Sequence, residues 1–142
     1  MKTRPVAIAL LAFLGTIDAL YLSMKRNAGP VPCHITHGCT DVLTSKYSEV
    51  AGIPLSSIGL AFYVTMLSLA VFSIFGEGSP ASEKPLRIIF YLSGAALIVS
   101  ALLVGIQAFV LKAFCEYCLF SAALVLSIFL VCPNPGPHKL PQ

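Results

Sequence analysis

Five cysteines carry the chemistry this chain could perform: Cys33, Cys39, Cys115, Cys118 and Cys132. Cys115-Glu116-Tyr117-Cys118 is a C-x-x-C pair at the head of a long apolar run. Residues three apart share a helix face, so the two sulfurs can bridge. A helix N-terminus offers unpaired N–H groups and the positive end of the helix dipole. Both stabilise a thiolate, the reactive form of the side chain. The same pair also reads as a metal half-site, or as two small apolar thiols packed in lipid. Cys33 and Cys39 are the second pair, within Cys33-His34-Ile35-Thr36-His37-Gly38-Cys39. A bridge there closes a loop worth about 2.4 kcal/mol in the chain-entropy treatment. That is little for a staple and suits thiol–disulfide exchange, with a plain structural disulfide as the alternative. His34 and His37 either lower the thiol pKa or are simply exposed loop residues.

The elements that must position these thiols follow from composition. The chain has 142 residues, 57% hydrophobic and 11% charged, and its mean hydropathy is +0.88. Soluble domains carry about 25% charged residues, so a water-soluble globule and a disordered chain are both excluded. A net charge of +3 with no basic block excludes a nucleic-acid binder. Four apolar runs stand out: Pro5 to about Met24, Ser57 to Phe75, Leu86 to Leu111, and about Phe114 to Cys132. Each is long enough to span the hydrocarbon as a helix, whereas isolated strands would leave their edges unpaired there. The expected fold is an all-α membrane protein, a bundle of four transmembrane helices over residues 1–132. A Pro-rich tail over 133–142 is expected to be disordered. The first run exceeds the h-region of a signal peptide and no A-x-A site follows it, so it is expected to stay as a helix.

Between the first two runs lies the single long loop, Lys25–Ser56. Val42, Leu43, Tyr47, Val50 and Ala51 fall at helical spacing among polar residues, which predicts a short amphipathic capping helix with Thr40 as N-cap. Gly52-Ile53-Pro54 ends it, and Ser56 or Ser57 can cap the next helix. Only Lys112 and Ala113 separate the third run from the C-x-x-C, a tight helical hairpin. This topology puts the long loop and that hairpin on one membrane side, whichever way the chain is inserted. Cys33, Cys39, Cys115 and Cys118 therefore share a face, and Cys132 sits at the other as an inert buried thiol. Two dithiols on one face suggest a relay in which electrons enter at the loop pair and pass to the pair at the helix end. There a lipid quinone can accept them. The face with Lys2, Arg4, Lys84, Arg87 and Lys139 is slightly more basic than the cysteine face. That bias, and the persistence of disulfides outside the cytosol, place both termini in the cytoplasm.

The spacing of these residues resembles the vitamin K epoxide reductase family in its bacterial-type form. The resemblance is carried by Gly15 and Tyr21-Leu22, Cys33-x5-Cys39, Ser45, Gly52-Ile53-Pro54, Gly59 and Cys115-x-x-Cys118. The DsbB type of quinone-linked membrane protein has its C-x-x-C in the first loop and does not fit. The resemblance implies a quinone-dependent protein-thiol oxidoreductase of the cell's inner (plasma) membrane, with the cysteines on the periplasmic or extracellular side. Cys115 and Cys118 would be the active-site pair, with Cys118 facing the quinone, its thiolate stabilised by the helix terminus. Cys33 and Cys39 would shuttle electrons from a thioredoxin-fold partner, and Ser45 would lie near the redox centre. The quinone would be of the ubiquinone, menaquinone or vitamin K type. Many bacterial members carry a fused thioredoxin-like domain. Here a Pro-rich tail stands instead, so the partner is expected to be a separate periplasmic DsbA-like protein. Vertebrate members bind the vitamin through an Asn at the start of the second helix and a Tyr after the C-x-x-C. Leu55 and Ala122 stand at those places, which favours plain quinone reduction.

Two further readings stay open at this level. Asp18 lies about two turns inside the first run. It could pass protons to the quinone, hydrogen-bond through Ser23 or Tyr63, or snorkel toward the interface near Lys25 and Arg26. The rival function is soft-metal binding by Cys33, His34, His37, Cys39, Cys115 and Cys118; the oxidoreductase reading assigns no metal.

Overall fold

The computed structural model describes residues 3–26, 28, 45–46, 49–76 and 83–132. Four helices carry it: α1 (Thr3–Arg26), α2 (Leu55–Phe75), α3 (Glu83–Ile106) and α4 (Glu116–Val131). Two-residue strands, β1 (Glu49–Val50) and β2 (Ile53–Pro54), precede α2. α1, α2 and α3 with its extension are long and apolar enough to cross a membrane, and α4 is a shorter apolar helix. This is a helical membrane bundle.

Its packing follows from small residues. On α1 the buried positions Ile8, Ala12, Gly15, Ala19 and Leu22 recur every three or four residues. On α2, Tyr63, Met66, Ala70 and Ser73 do the same. In lipid no hydrophobic force draws helices together, so close backbone approach over small residues supplies the packing. α1 and α2 form the most extensive interface, while α4 packs on both α1 and α3. At its centre Gly15 faces the Tyr63 ring; a Cβ there would stand 2.6 Å from the ring Cζ and closer still to Cδ1 and Cε1. The core is completed by Ile89 of α3 and by Val125 and Ile128 of α4, with Phe90 stacked on Phe129 at 5.1 Å. The outer faces carry Leu10, Phe72, Phe75, Ile98, Leu102 and Leu130, all exposed. On a soluble protein such a surface would aggregate, but here it faces lipid tails. Thr16, Thr65, Ser68 and Ser127 each donate their hydroxyl to the carbonyl four residues back at 2.8 Å, which satisfies them without water.

The capping helix expected up to Ala51 falls largely outside the described residues, but its final stretch is different. Glu49–Val50 pairs antiparallel with Ile53–Pro54. Ala51 (φ 53°) and Gly52 (φ 83°) make the turn between them. Two consecutive positive φ values give the type I′ geometry of a tight hairpin, which a helix cannot contain. α2 then starts directly at Leu55 with Pro54 as its cap residue and no side-chain cap. Ser56 and Ser57 therefore lie inside its first turn rather than capping it. An ion pair between Arg26 and Glu49 ties the end of α1 to this hairpin.

Candidate active site

The C-x-x-C is placed by the way α3 ends. The helix widens into a π-helical turn over Gln107–Leu111, and Lys112 takes a left-handed conformation (φ 50°). The Gln107 carbonyl accepts the N–H groups of Lys112 and of Ala113, the latter at 3.1 Å. Its side chain is buried, and Oε1 accepts the Cys115 N–H at 3.0 Å. One residue thus closes the turn through its backbone and holds the first cysteine through its amide. π-Turns often mark functional positions. Gln107 was not singled out from the sequence, although a lone amide in an apolar run was the available signal.

Cys115 is the N-cap residue of α4, in extended conformation. It is fully buried beside Leu22, in a small cluster with Tyr21, Leu111, Ala113, Tyr117 and Cys118. Tyr21 and Tyr117 meet with ring centroids 5.3 Å apart. The end of α1 and the C-x-x-C therefore share one end of the bundle. The Cys118 thiol lies within hydrogen-bonding reach of Cys115.

Cys118, one helical turn on, is half-buried and opens onto a cavity of about 380 Å³. Its walls come from all four helices, and its lining is overwhelmingly apolar: Leu22 of α1, Phe62 of α2, Val99 and Leu103 of α3, Ala122 and Val125 of α4. Leu55 and Ala122 both line it, as does Ser45. The polar groups in this lining are few. Tyr63 Oη donates to the Ser121 carbonyl at 2.9 Å and lies 2.7 Å from Ser121 Oγ. Ser56 Oγ is buried with no hydrogen-bond partner among the described residues. Asp18 is 8% exposed and faces the cavity. Of the readings open for Asp18, snorkelling is overturned by that burial. Hydrogen bonding through Ser23 or Tyr63 is overturned as well: Tyr63 is engaged by Ser121, and Ser23 Oγ is a second buried hydroxyl without a partner among the described residues.

Cys33 and Cys39 lie outside the described residues, as do His34 and His37. Cys132 sits at the far end of the bundle, buried, with its thiol donating to the Leu86 carbonyl at 3.3 Å. Among the described residues no group of three or more His, Cys, Asp or Glu side chains converges on a metal position.

Residues 6–132 match the vitamin K epoxide reductase family. The chain belongs to this family. It is also similar to the thiol-disulfide oxidoreductase LTO1 of Arabidopsis thaliana, 36% identical over 124 residues. That alignment covers 81% of this chain and 32% of LTO1, so the chain spans about a third of the relative's length. The C-x-x-C, the π-turn and the cavity all lie within the stretch that matches the family.

Proposed function

We propose that this family member is a membrane thiol–disulfide oxidoreductase that passes electrons from a thioredoxin-fold protein to a lipid quinone. The observation that carries the reading is the cavity: the outer sulfur of the C-x-x-C opens into an apolar chamber of about 380 Å³ shared by four helices. Its volume lies in the range of small-molecule sites. An apolar ring system suits this lining, and the unpartnered Ser56 hydroxyl is a donor for a ring carbonyl. Leu55 and Ala122 add no polar group at their places in the wall, which favours quinone reduction over epoxide reduction.

In this reading Cys33 and Cys39 receive the partner's electrons by thiol–disulfide exchange, and the loop thiols then reduce the Cys115–Cys118 disulfide. In the final step Cys115 and Cys118 re-form their disulfide. Two S–H bonds are lost, and two electrons and two protons go to the quinone, giving the hydroquinone. Cys115 is held at the head of α4, its N–H bonded to the Gln107 side chain. Cys118 presents its sulfur to the cavity, with Ser45 at the rim. The cysteine end faces the periplasm or cell exterior, and the termini face the cytoplasm.

The test uses the purified full chain in detergent or liposomes, dithiothreitol as electron donor, and short-tailed ubiquinone and menaquinone as acceptors. The wild type is expected to reduce quinone, and Cys118→Ala to lose all turnover. Cys132→Ala, at the opposite end, serves as the control and keeps it. Full activity in Cys118→Ala refutes the mechanism.

A further inference from the structure

Asp18 has no task in the relay as described, yet among the described residues it is the one carboxyl in the cavity wall. It sits on α1 one helical turn from Leu22, which packs against Cys115. It is 92% buried, in a lining that is otherwise almost wholly apolar, and none of the described side chains hydrogen-bonds it. It lies within electrostatic reach of Cys115, Cys118 and Tyr63. Among the described residues the cavity wall offers one cation, Arg26, two helical turns away toward the rim and paired with Glu49. α3 contributes no titratable group to this wall. Placing a carboxyl in lipid-like surroundings without a partner is costly, so a fold that keeps one there has a use for it.

We propose that Asp18 is the proton carrier between the C-x-x-C thiols and the quinone. This rests on the quinone reading above and deepens it. Disulfide formation releases two protons from Cys115 and Cys118, and hydroquinone formation consumes two at the quinone oxygens. Cys118 lines this almost wholly apolar cavity and Cys115 is buried beside it, so a quinone's oxygens there meet few polar groups that could deliver the protons. The Asp18 carboxyl gives its proton to a quinone oxygen and takes one from a cysteine thiol. The carboxyl ends each turnover as it began, and no outside acid or base is required. Tyr63 is a poorer carrier, because its hydroxyl is held by Ser121.

The experiment compares wild type, Asp18→Asn, Asp18→Glu and Asp18→Ala in the dithiothreitol–ubiquinone assay. Asp18→Asn keeps size and polarity but cannot carry a proton. It is expected to lose about 100-fold in kcat, within the span of general acid–base catalysis, with KM for the quinone changed less than about threefold and an increased solvent deuterium isotope effect. Asp18→Glu should recover a large part of the rate. Formate, a small carboxylic acid able to enter the vacated space, should accelerate Asp18→Ala but not the wild type. Those results establish the carrier role; a purely structural residue of the cavity wall would instead shift KM and would gain nothing from formate. Asp18→Asn turning over within twofold of wild type overturns the inference alone. So does a loss of activity that neither glutamate nor formate repairs. A wild type that reduces no quinone overturns the underlying function and this inference with it.

Discussion

Gly15→Ala adds one methyl group where α1 packs on the Tyr63 ring of α2, and its consequence can be worked from the structure. The new Cβ would lie inside the contact distance of three Tyr63 ring atoms, at 2.6 Å from Cζ and nearer to the other two. The ring has little room to yield. Tyr63 is 2% exposed, its edge meets Phe62 at a centroid distance of 5.2 Å, and its hydroxyl is anchored on Ser121 of α4. Relief therefore comes from separating the helices or from breaking the Ser121 hydrogen bond. Overpacking of a filled core costs about 1–3 kcal/mol, and a lost intramolecular hydrogen bond about 1 kcal/mol. Alanine returns about 1 kcal/mol over glycine through helix propensity. The net expectation is a loss of about 1–3 kcal/mol, read as a lower unfolding midpoint in detergent micelles. Quinone turnover should fall too, because Tyr63 forms part of the cavity wall. The decisive comparison is the same substitution on a Tyr63→Ala background. With the ring gone the clash is gone, and Gly15→Ala should become neutral or stabilising. An equal loss on both backgrounds, or no loss in the single variant, refutes the argument.

The hydrogen bond from Cys115 N–H to Gln107 can be removed with little change of shape. Gln107→Leu leaves a buried N–H unpaired and is expected to cost about 1–3 kcal/mol, with slower reoxidation of the C-x-x-C followed by thiol trapping.

The number of helices was legible because run length alone decides it: about 20 apolar residues span a bilayer. The pairing of faces was not. α2 and α4 are apolar on all sides, so no amphipathic stripe marks which side is buried. What decides it is residue size, through Gly15, Ala12 and Ala19 against the Tyr63 ring, and size gives no periodic signal in a hydropathy profile. The C-x-x-C was read from spacing, and so was its location at the same end as the exit of α1. That followed from counting crossings, and the Tyr21–Tyr117 contact makes it visible. The spacing fixes that the cysteines share a helix face and not that Cys115 is the cap residue of α4. The end of the capping helix was misread for a local reason: Val50 and Ala51 fit a helical stripe, but Ala51-Gly52 takes a hairpin turn that periodicity does not report.

The lengths of the helices explain why two cysteine pairs serve better than one. α4 has 16 residues and so extends about 24 Å at 1.5 Å per residue. The hydrocarbon core is about 30 Å thick. α1, with 24 residues, is about 36 Å long on the same rise. Cys115 lies level with Leu22, a full turn short of the Arg26 end of α1. The C-x-x-C is thus recessed below the face at which α1 emerges, with Cys115 fully covered. In the proposed function a lipid-dissolved quinone reaches that depth directly, from the cavity side. A folded thioredoxin-type protein working at the surface does not. Electrons from water therefore need a carrier on the protein itself, and in the proposed relay a dithiol on the long loop is that carrier. In the proposed relay the recess that covers Cys115 also leaves protons scarce at the quinone, so Asp18, the one carboxyl among the described residues of the cavity wall, belongs to the same design as the second cysteine pair.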